Sequence, residues 1–230
     1  MIEILTLIAV TLVPGILAFR KIGNNGAWVK PLLSLSGSFL LALSFCHLLP
    51  AAYNAKGASI GVWVLVGFFL QVMLESVTKG VEHGHYHSHG TFSKYFPLLA
   101  ILGLSTHSIL EAIPLGTDMH DHNHGYLTGI AMHKFPIALT LASILANTPI
   151  KPWLRWAWFS VFVLSAPLGL LLEPYLASTA SANHIFTSLA VGIFLHVSTT
   201  ILFEMEDGHR LKPSKLLAIV LGLAIYFITQ

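Results

Sequence analysis

Ser59-Ile60-Gly61-Val62-Trp63-Val64-Leu65-Val66-Gly67-Phe68-Phe69-Leu70-Gln71-Val72-Met73-Leu74 contains no charged side chain. Such a stretch has no polar face to offer water. With its neighbours it extends over residues 58–79, which meets the ~20 apolar residues an α-helix needs to cross hydrocarbon. The same ruler, moved outward, gives further spans at 2–19, 32–52, 95–116, 125–147, 153–173, 184–204 and 214–229. Inside lipid every backbone N–H and C=O needs an internal partner, so these spans are helices. The expected fold class is therefore all-α, a polytopic membrane protein with about eight transmembrane helices in a single domain over residues 1–230. Two spans depart from the pattern: the fifth holds Lys134 and Pro136, and the last is short.

Composition agrees. The chain is 55% hydrophobic and 10% charged, against about 25% charged in soluble domains. A net charge of +2 without a basic run excludes nucleic acid as a partner. The single cysteine, Cys46, excludes an internal disulfide and a multi-thiolate zinc site. No basic segment precedes the first apolar run, so that run is expected to be a retained span rather than a cleaved signal. Arg20, Lys21, Lys30, Lys79, Lys94, Lys151, Arg155, Arg210, Lys212 and Lys215 flank the odd-numbered loops, whereas the even-numbered loops hold only Lys56. By the positive-inside rule the odd loops are cytoplasmic and both termini face outward. The bilayer of the cell (inner or plasma) membrane is the expected setting, with a homodimer as the other partner considered.

Thirteen histidines outnumber either the ten acids or the twelve lysines and arginines. His107-Ser108-Ile109-Leu110-Glu111 lies in the fourth span and His133-Lys134-Phe135-Pro136 in the fifth. Ionisable groups inside a membrane are expensive and mark functional sites. His107 and Glu111, one turn apart, share a helix face. His107 lies nine residues from the outer end of its span, roughly 14 Å at the helical rise. His133 lies eight residues from the outer start of the next, roughly 12 Å by the same rise. Two imidazoles and a carboxylate thus reach one level on neighbouring helices, a donor set for a divalent metal. Pro114 and Pro136 leave the carbonyls of Leu110 and Met132 without their helical donors, as at the interrupted helices of transporter sites. The plainest alternative is that Lys134 and Glu111 form an ion pair with no other duty.

Two histidine-rich segments flank this level. His83, His85, His87 and His89 fall in a cytoplasmic loop of about 80–94, where alternating histidines bind zinc, nickel or copper loosely. His120, His122 and His124 fall in an outward His/Asp-rich loop, 117–124. Histidines on both sides of an intramembrane site favour a metal path. His47, Glu173 and His184 lie toward the outer side, and Glu75 and Glu204 toward the cytoplasm, as path residues or as interface anchors. His196 either joins that path or only hydrogen-bonds to a neighbouring helix.

At these residues the chain resembles the ZIP (Zrt/Irt-like) family of divalent-metal transporters. The resemblance is carried by His107-Ser-Ile-Leu-Glu111-Ala-Ile-Pro-Leu-Gly and by His133-Lys134, supported by His47-Leu-Leu-Pro50 and Gly192-Ile-Phe-Leu-His-Val-Ser-Thr-Thr200. It implies Zn²⁺ uptake into the cytoplasm by an elevator-like alternating access. His107, Glu111 and His133 would be ligands, and Ser108 takes the place where many members have asparagine. Ala112 stands where glycine is usual. Lys134 and Ile137 stand where members with paired metals place a carboxylate and a ligand. The implication is one metal beside a tethered ammonium, with a fourth ligand from water or another span.

Nitrogen and carboxylate donors suit Zn²⁺ and also Fe²⁺, Mn²⁺, Cd²⁺ and Co²⁺. An intramembrane zinc hydrolase is the rival from another class. It would need a positioned base, and no His-Glu-x-x-His motif occurs. A non-enzymatic carrier is therefore expected. Direction rests on the resemblance alone, and a metal exporter is the second alternative.

Overall fold

A computed structural model describes residues 1–20, 28–54, 59–83, 96–116, 123–203 and 212–229. Every element in them is helical: α1 (Ile2–Phe19), α2 (Val29–Asn54), α3 (Ile60–Thr78), α4 (Phe96–Ala112), α5 (Asn123–Asn147), α6 (Pro152–Leu176), α7 (Ala180–Phe203) and α8 (Pro213–Thr229). Seven of these helices are long and apolar enough to span a bilayer, and α8 is an apolar helix of 17 residues. The chain is a multi-pass integral membrane protein of the all-α class.

Prolines set several boundaries. Pro152 and Pro213 open α6 and α8, at the position where a missing N–H is harmless. Pro114 ends α4 at Ala112, and the chain continues as a 3₁₀ turn, Ile113–Gly116. α2 passes through a π-helical turn at Ser44–Leu48, which carries His47 half-buried. Some ends differ from those read in the sequence. α5 starts at Asn123, so His124 belongs to its first turn and not to a loop. α7 starts at Ala180, which places His184 one turn inside a helix rather than at its end.

Packing resolves into pairs. α1 lies on α5, α4 on α6, α3 on α7 and α2 on α8. Lipid-soluble helices gain little from burying apolar surface against each other, so close approach of backbones carries the association. Gly67 of α3 faces the backbone of Leu189, and Gly192 of α7 faces the backbones of Val64 and Phe68. A side chain at either would enter the opposing main chain. Gly192→Val is therefore expected to separate α3 from α7 and to lower the midpoint of thermal unfolding in detergent by several degrees. An unchanged midpoint would show that the crossing is not tight.

Two large apolar clusters fill the bundle. One contains Leu7, Phe39, Leu48, Ala112, Tyr126, Ile130, Ala190 and Phe194. The other contains Ala18, Val81, Ile101, Leu104, Ile137, Leu141, Phe159 and Phe162. Along α4 the polar residues His107, Ser108 and Glu111 fall between the members of the two clusters. Along α5 the same is true of His133 and Lys134. All five are at most 2% exposed. The core thus holds a buried polar layer.

Candidate metal centre

α4 presents His107 and Glu111 one turn apart, and their Nε2 and Oε2 atoms are 3.2 Å apart. Two ligands of a tetrahedral zinc ion, each at ~2.0–2.1 Å from the metal, stand roughly 3.3 Å apart. α5 brings the His133 ring to 6.0 Å from that of His107, centroid to centroid. His107 Nε2, both carboxylate oxygens of Glu111 and both ring nitrogens of His133 are buried; the first three meet one another and Lys134, and the two His133 nitrogens have no hydrogen-bond partner. A buried polar atom left unpaired costs ~1–3 kcal/mol. Imidazole nitrogens and a carboxylate are a donor set that suits a divalent cation.

In this conformation the charge on Glu111 is met by Lys134, whose ammonium pairs with the carboxylate and donates to Ser108 Oγ. The ring of Phe162 lies 5.6 Å from the same ammonium. The ion pair expected as the plain alternative is therefore formed, and it leaves the His133 ring without a hydrogen-bond partner. His107, Glu111 and His133 do not all bring ligand atoms within 4.8 Å of one another. The α4 carbonyl of Glu111, left free where the helix tightens before Pro114, accepts a hydrogen bond from Tyr126 Oη at 2.8 Å.

Among the described residues, one group does bring three ligand atoms within 4.8 Å, and it is not the midplane one: Glu75, His83 and His196. His196 Nε2 lies 2.5 Å from Glu75 Oε2, and His83 Nε2 lies 3.3 Å from the same oxygen. The local sequence explains how His83 arrives there. α3 ends on Lys79 and Gly80, both left-handed with φ of 55° and 74°, the usual device for reversing a chain at a helix C-terminus. The reversal folds Val81–His83 into a 3₁₀ turn against α3. His83, expected as one of four loosely binding loop histidines, is instead only 4% exposed. His196 hydrogen-bonds to Glu75 of the neighbouring helix, and with His83 the three form this cluster. A recess of about 380 Å³ opens beside Glu75, between Val72, Ser76, Lys79 and Gly80. A smaller cavity of about 40 Å³ reaches His83 between Lys30, Ser34, Ser214 and Lys215.

The remaining expected path residues are dispersed. His47 and His184 are half-buried, and His184 Nδ1 lacks a hydrogen-bond partner. The Glu173 carboxylate lies against Gly116 at the end of the 3₁₀ turn after α4. His124 is exposed. His85, His87, His89, His120, His122 and Glu204 lie outside the described residues.

The family described as ZIP zinc transporter matches residues 83–230. The chain belongs to the ZIP family. Among curated proteins, Zinc transporter ZIP1 of Takifugu rubripes is 29% identical over 153 residues, covering 63% of this chain and 49% of that protein. Zinc transporter ZIP1 of Danio rerio is 24% identical over 152 residues, covering 62% of this chain and 49% of that protein. The chain spans about half the length of the curated relatives it matches.

Residues outside the sequence reading complete the layer. Gln71 and Thr78 of α3 and Glu82 of the following turn are fully buried. Gln71, Glu75 and Thr78 fall at intervals of four and three on one face of α3, and Glu82 joins them only through the turn after Gly80. Read singly, each was an incidental polar residue in or after an apolar span.

Proposed function

We propose that this ZIP-family chain carries divalent metal ions, Zn²⁺ foremost, across the cell membrane into the cytoplasm by alternating access. His107, Glu111 and His133 form the midplane site. The observation that carries this reading is one buried layer in which Glu111 lies between His107 Nε2 and the Lys134 ammonium while both ring nitrogens of His133 have no hydrogen-bond partner. An arriving cation takes Glu111 from Lys134 and draws His133 toward His107. As it leaves, Lys134 returns and neutralises the carboxylate, so the layer is never left with bare negative charge in a dry core.

Glu75, His83 and His196 are the next stop toward the cytoplasm. Their carboxylate and imidazoles sit beside an open recess, so an ion held there exchanges with water more readily than one in the sealed layer. His196→Ala is expected to reduce the maximal uptake rate about threefold to tenfold while leaving the half-saturating metal concentration nearly unchanged. A raised half-saturating concentration at an unaltered maximal rate would place the cluster off the release path.

The reading as a whole is tested by uptake into proteoliposomes, with Zn²⁺ as tracer and Fe²⁺, Mn²⁺, Cd²⁺ and Co²⁺ as competitors. Saturable uptake, inhibited in order of affinity, is the expected result. Equal leakage of all ions from liposomes with and without protein would overturn it.

A further inference from the structure

Three buried polar side chains connect the midplane histidine to the turn that bears His83. Gln71 Oε1 lies 2.8 Å from His107 Nδ1. Gln71 Nε2 lies 3.3 Å from Glu82 Oε1, and Thr78 Oγ1 lies 2.5 Å from Glu82 Oε2. Gln71, Thr78 and Glu82 are all 0% exposed.

The direction of this chain is fixed at its carboxylate end. Gln71 Nε2 donates to one oxygen of Glu82 and Thr78 Oγ1 to the other, so the amide turns its NH₂ toward Glu82. Its carbonyl then faces His107 and can only accept. A proton is thereby held at Nδ1, and Nε2, 3.2 Å from Glu111 Oε2, is the nitrogen that faces the place of the metal. Resting on the midplane site proposed above, we infer that Gln71 and Glu82 are positioning residues that select the metal-binding tautomer of His107 and aim its ring. A carboxylate or carbonyl behind a metal-binding histidine serves this purpose in metal sites generally. Here an amide is interposed, so the carboxylate acts from one residue farther away, outside the layer that must accept and release the ion. A negative charge placed directly on His107 would bind the metal more firmly and slow its departure.

Buried hydrogen bonds alone would predict the same residues, so the test must separate aiming from packing. Two readouts do this: the His107 tautomer by ¹⁵N-histidine NMR of the purified full chain without metal, and Zn²⁺ affinity by titration. His107→Ala assigns the signal. Native protein is expected to show His107 protonated at Nδ1 throughout. Gln71→Leu, which keeps bulk but removes both bonds, is expected to show mixed tautomers and a Zn²⁺ affinity reduced about 10- to 100-fold. The exchanged pair Gln71→Glu/Glu82→Gln keeps the direction of both bonds, since the carboxylate then accepts from Nδ1–H and the amide donates to it. It is expected to keep Nδ1 protonated and to bind Zn²⁺ at least as tightly as native, since its carboxylate now lies directly on His107, whereas Glu82→Gln alone is not. A single Nδ1–H tautomer and native affinity in Gln71→Leu would overturn the inference. So would an exchanged pair that folds, by its unfolding midpoint, yet binds as poorly as Gln71→Leu. If instead tautomers shift as expected while His107→Ala leaves Zn²⁺ affinity unchanged, the aiming stands and the midplane metal site falls.

Discussion

Glu111→Ala is expected to abolish saturable metal uptake, by at least 100-fold in initial rate, and also to destabilise the protein. Both effects follow from one carboxylate with several partners. Its oxygens lie against His107 Nε2 and the Lys134 ammonium in a layer that excludes water. Removing it strands Lys134 as a buried cation, and breaking a buried pair from one side costs about 3–5 kcal/mol. Loss of transport in this variant alone would therefore be ambiguous. The double variant Glu111→Ala/Lys134→Met resolves it, because it takes both charges out of the core together. Its unfolding midpoint should return close to that of the native protein, since replacing a buried pair by apolar residues is often neutral. Its uptake should stay at the level of empty liposomes. Recovery of transport along with stability would show that Glu111 serves only to neutralise Lys134.

The two kinds of information in the sequence were unequally legible. Spans could be read because membrane crossing imposes a local rule on every window of the chain. α3, with no charge from Ser59 to Leu74, could hardly be anything else. His107, Glu111 and His133 could be read because the first two share a helix turn and the third lies at equal depth on the next helix. Glu75, His83 and His196 could not, since His196 is 121 residues from Glu75 and no local pattern joins them. Their meeting depends on the Gly67–Gly192 crossing of α3 and α7 and on the left-handed turn at Lys79 and Gly80. His83 was misplaced for the same reason. In sequence it begins a run of alternating histidines, and only the turn shows that it parts from them. Gln71 and Glu82 were invisible because a hydrogen-bonded chain is recognised by the direction of its bonds, which sequence does not carry.

Lys134→Met is expected to tighten metal binding at the midplane site about tenfold or more and to slow turnover. The ammonium is in contact with the carboxylate that the metal must occupy, so ion and lysine compete for Glu111. Two unit charges 4 Å apart at an effective dielectric of 20 exchange ~4 kcal/mol, and a tenfold change in affinity is ~1.4 kcal/mol. The competition is therefore large enough to tune affinity even after most of it is offset by solvation. Methionine spans the same space without the charge, and Phe162, now 5.6 Å from the ammonium, offers it an apolar neighbour. A tighter ion leaves more slowly, since nothing replaces it on Glu111, and the maximal rate should fall as affinity rises. Lys134→Asp goes further. It sets a second carboxylate beside Glu111, with Ser108 Oγ within reach of the same position. Two close carboxylates in a dry layer demand more positive charge than one divalent ion on a single carboxylate. The number of Zn²⁺ bound per chain should then rise by one, counted on the purified variant against the native protein. Counting the increment leaves out whatever the cytoplasmic cluster holds, because that cluster is common to both proteins. Native affinity and rate in Lys134→Met, together with native stoichiometry in Lys134→Asp, would mean that Lys134 merely fills the layer. Tighter binding with slower turnover would identify it as the group that lets the metal go.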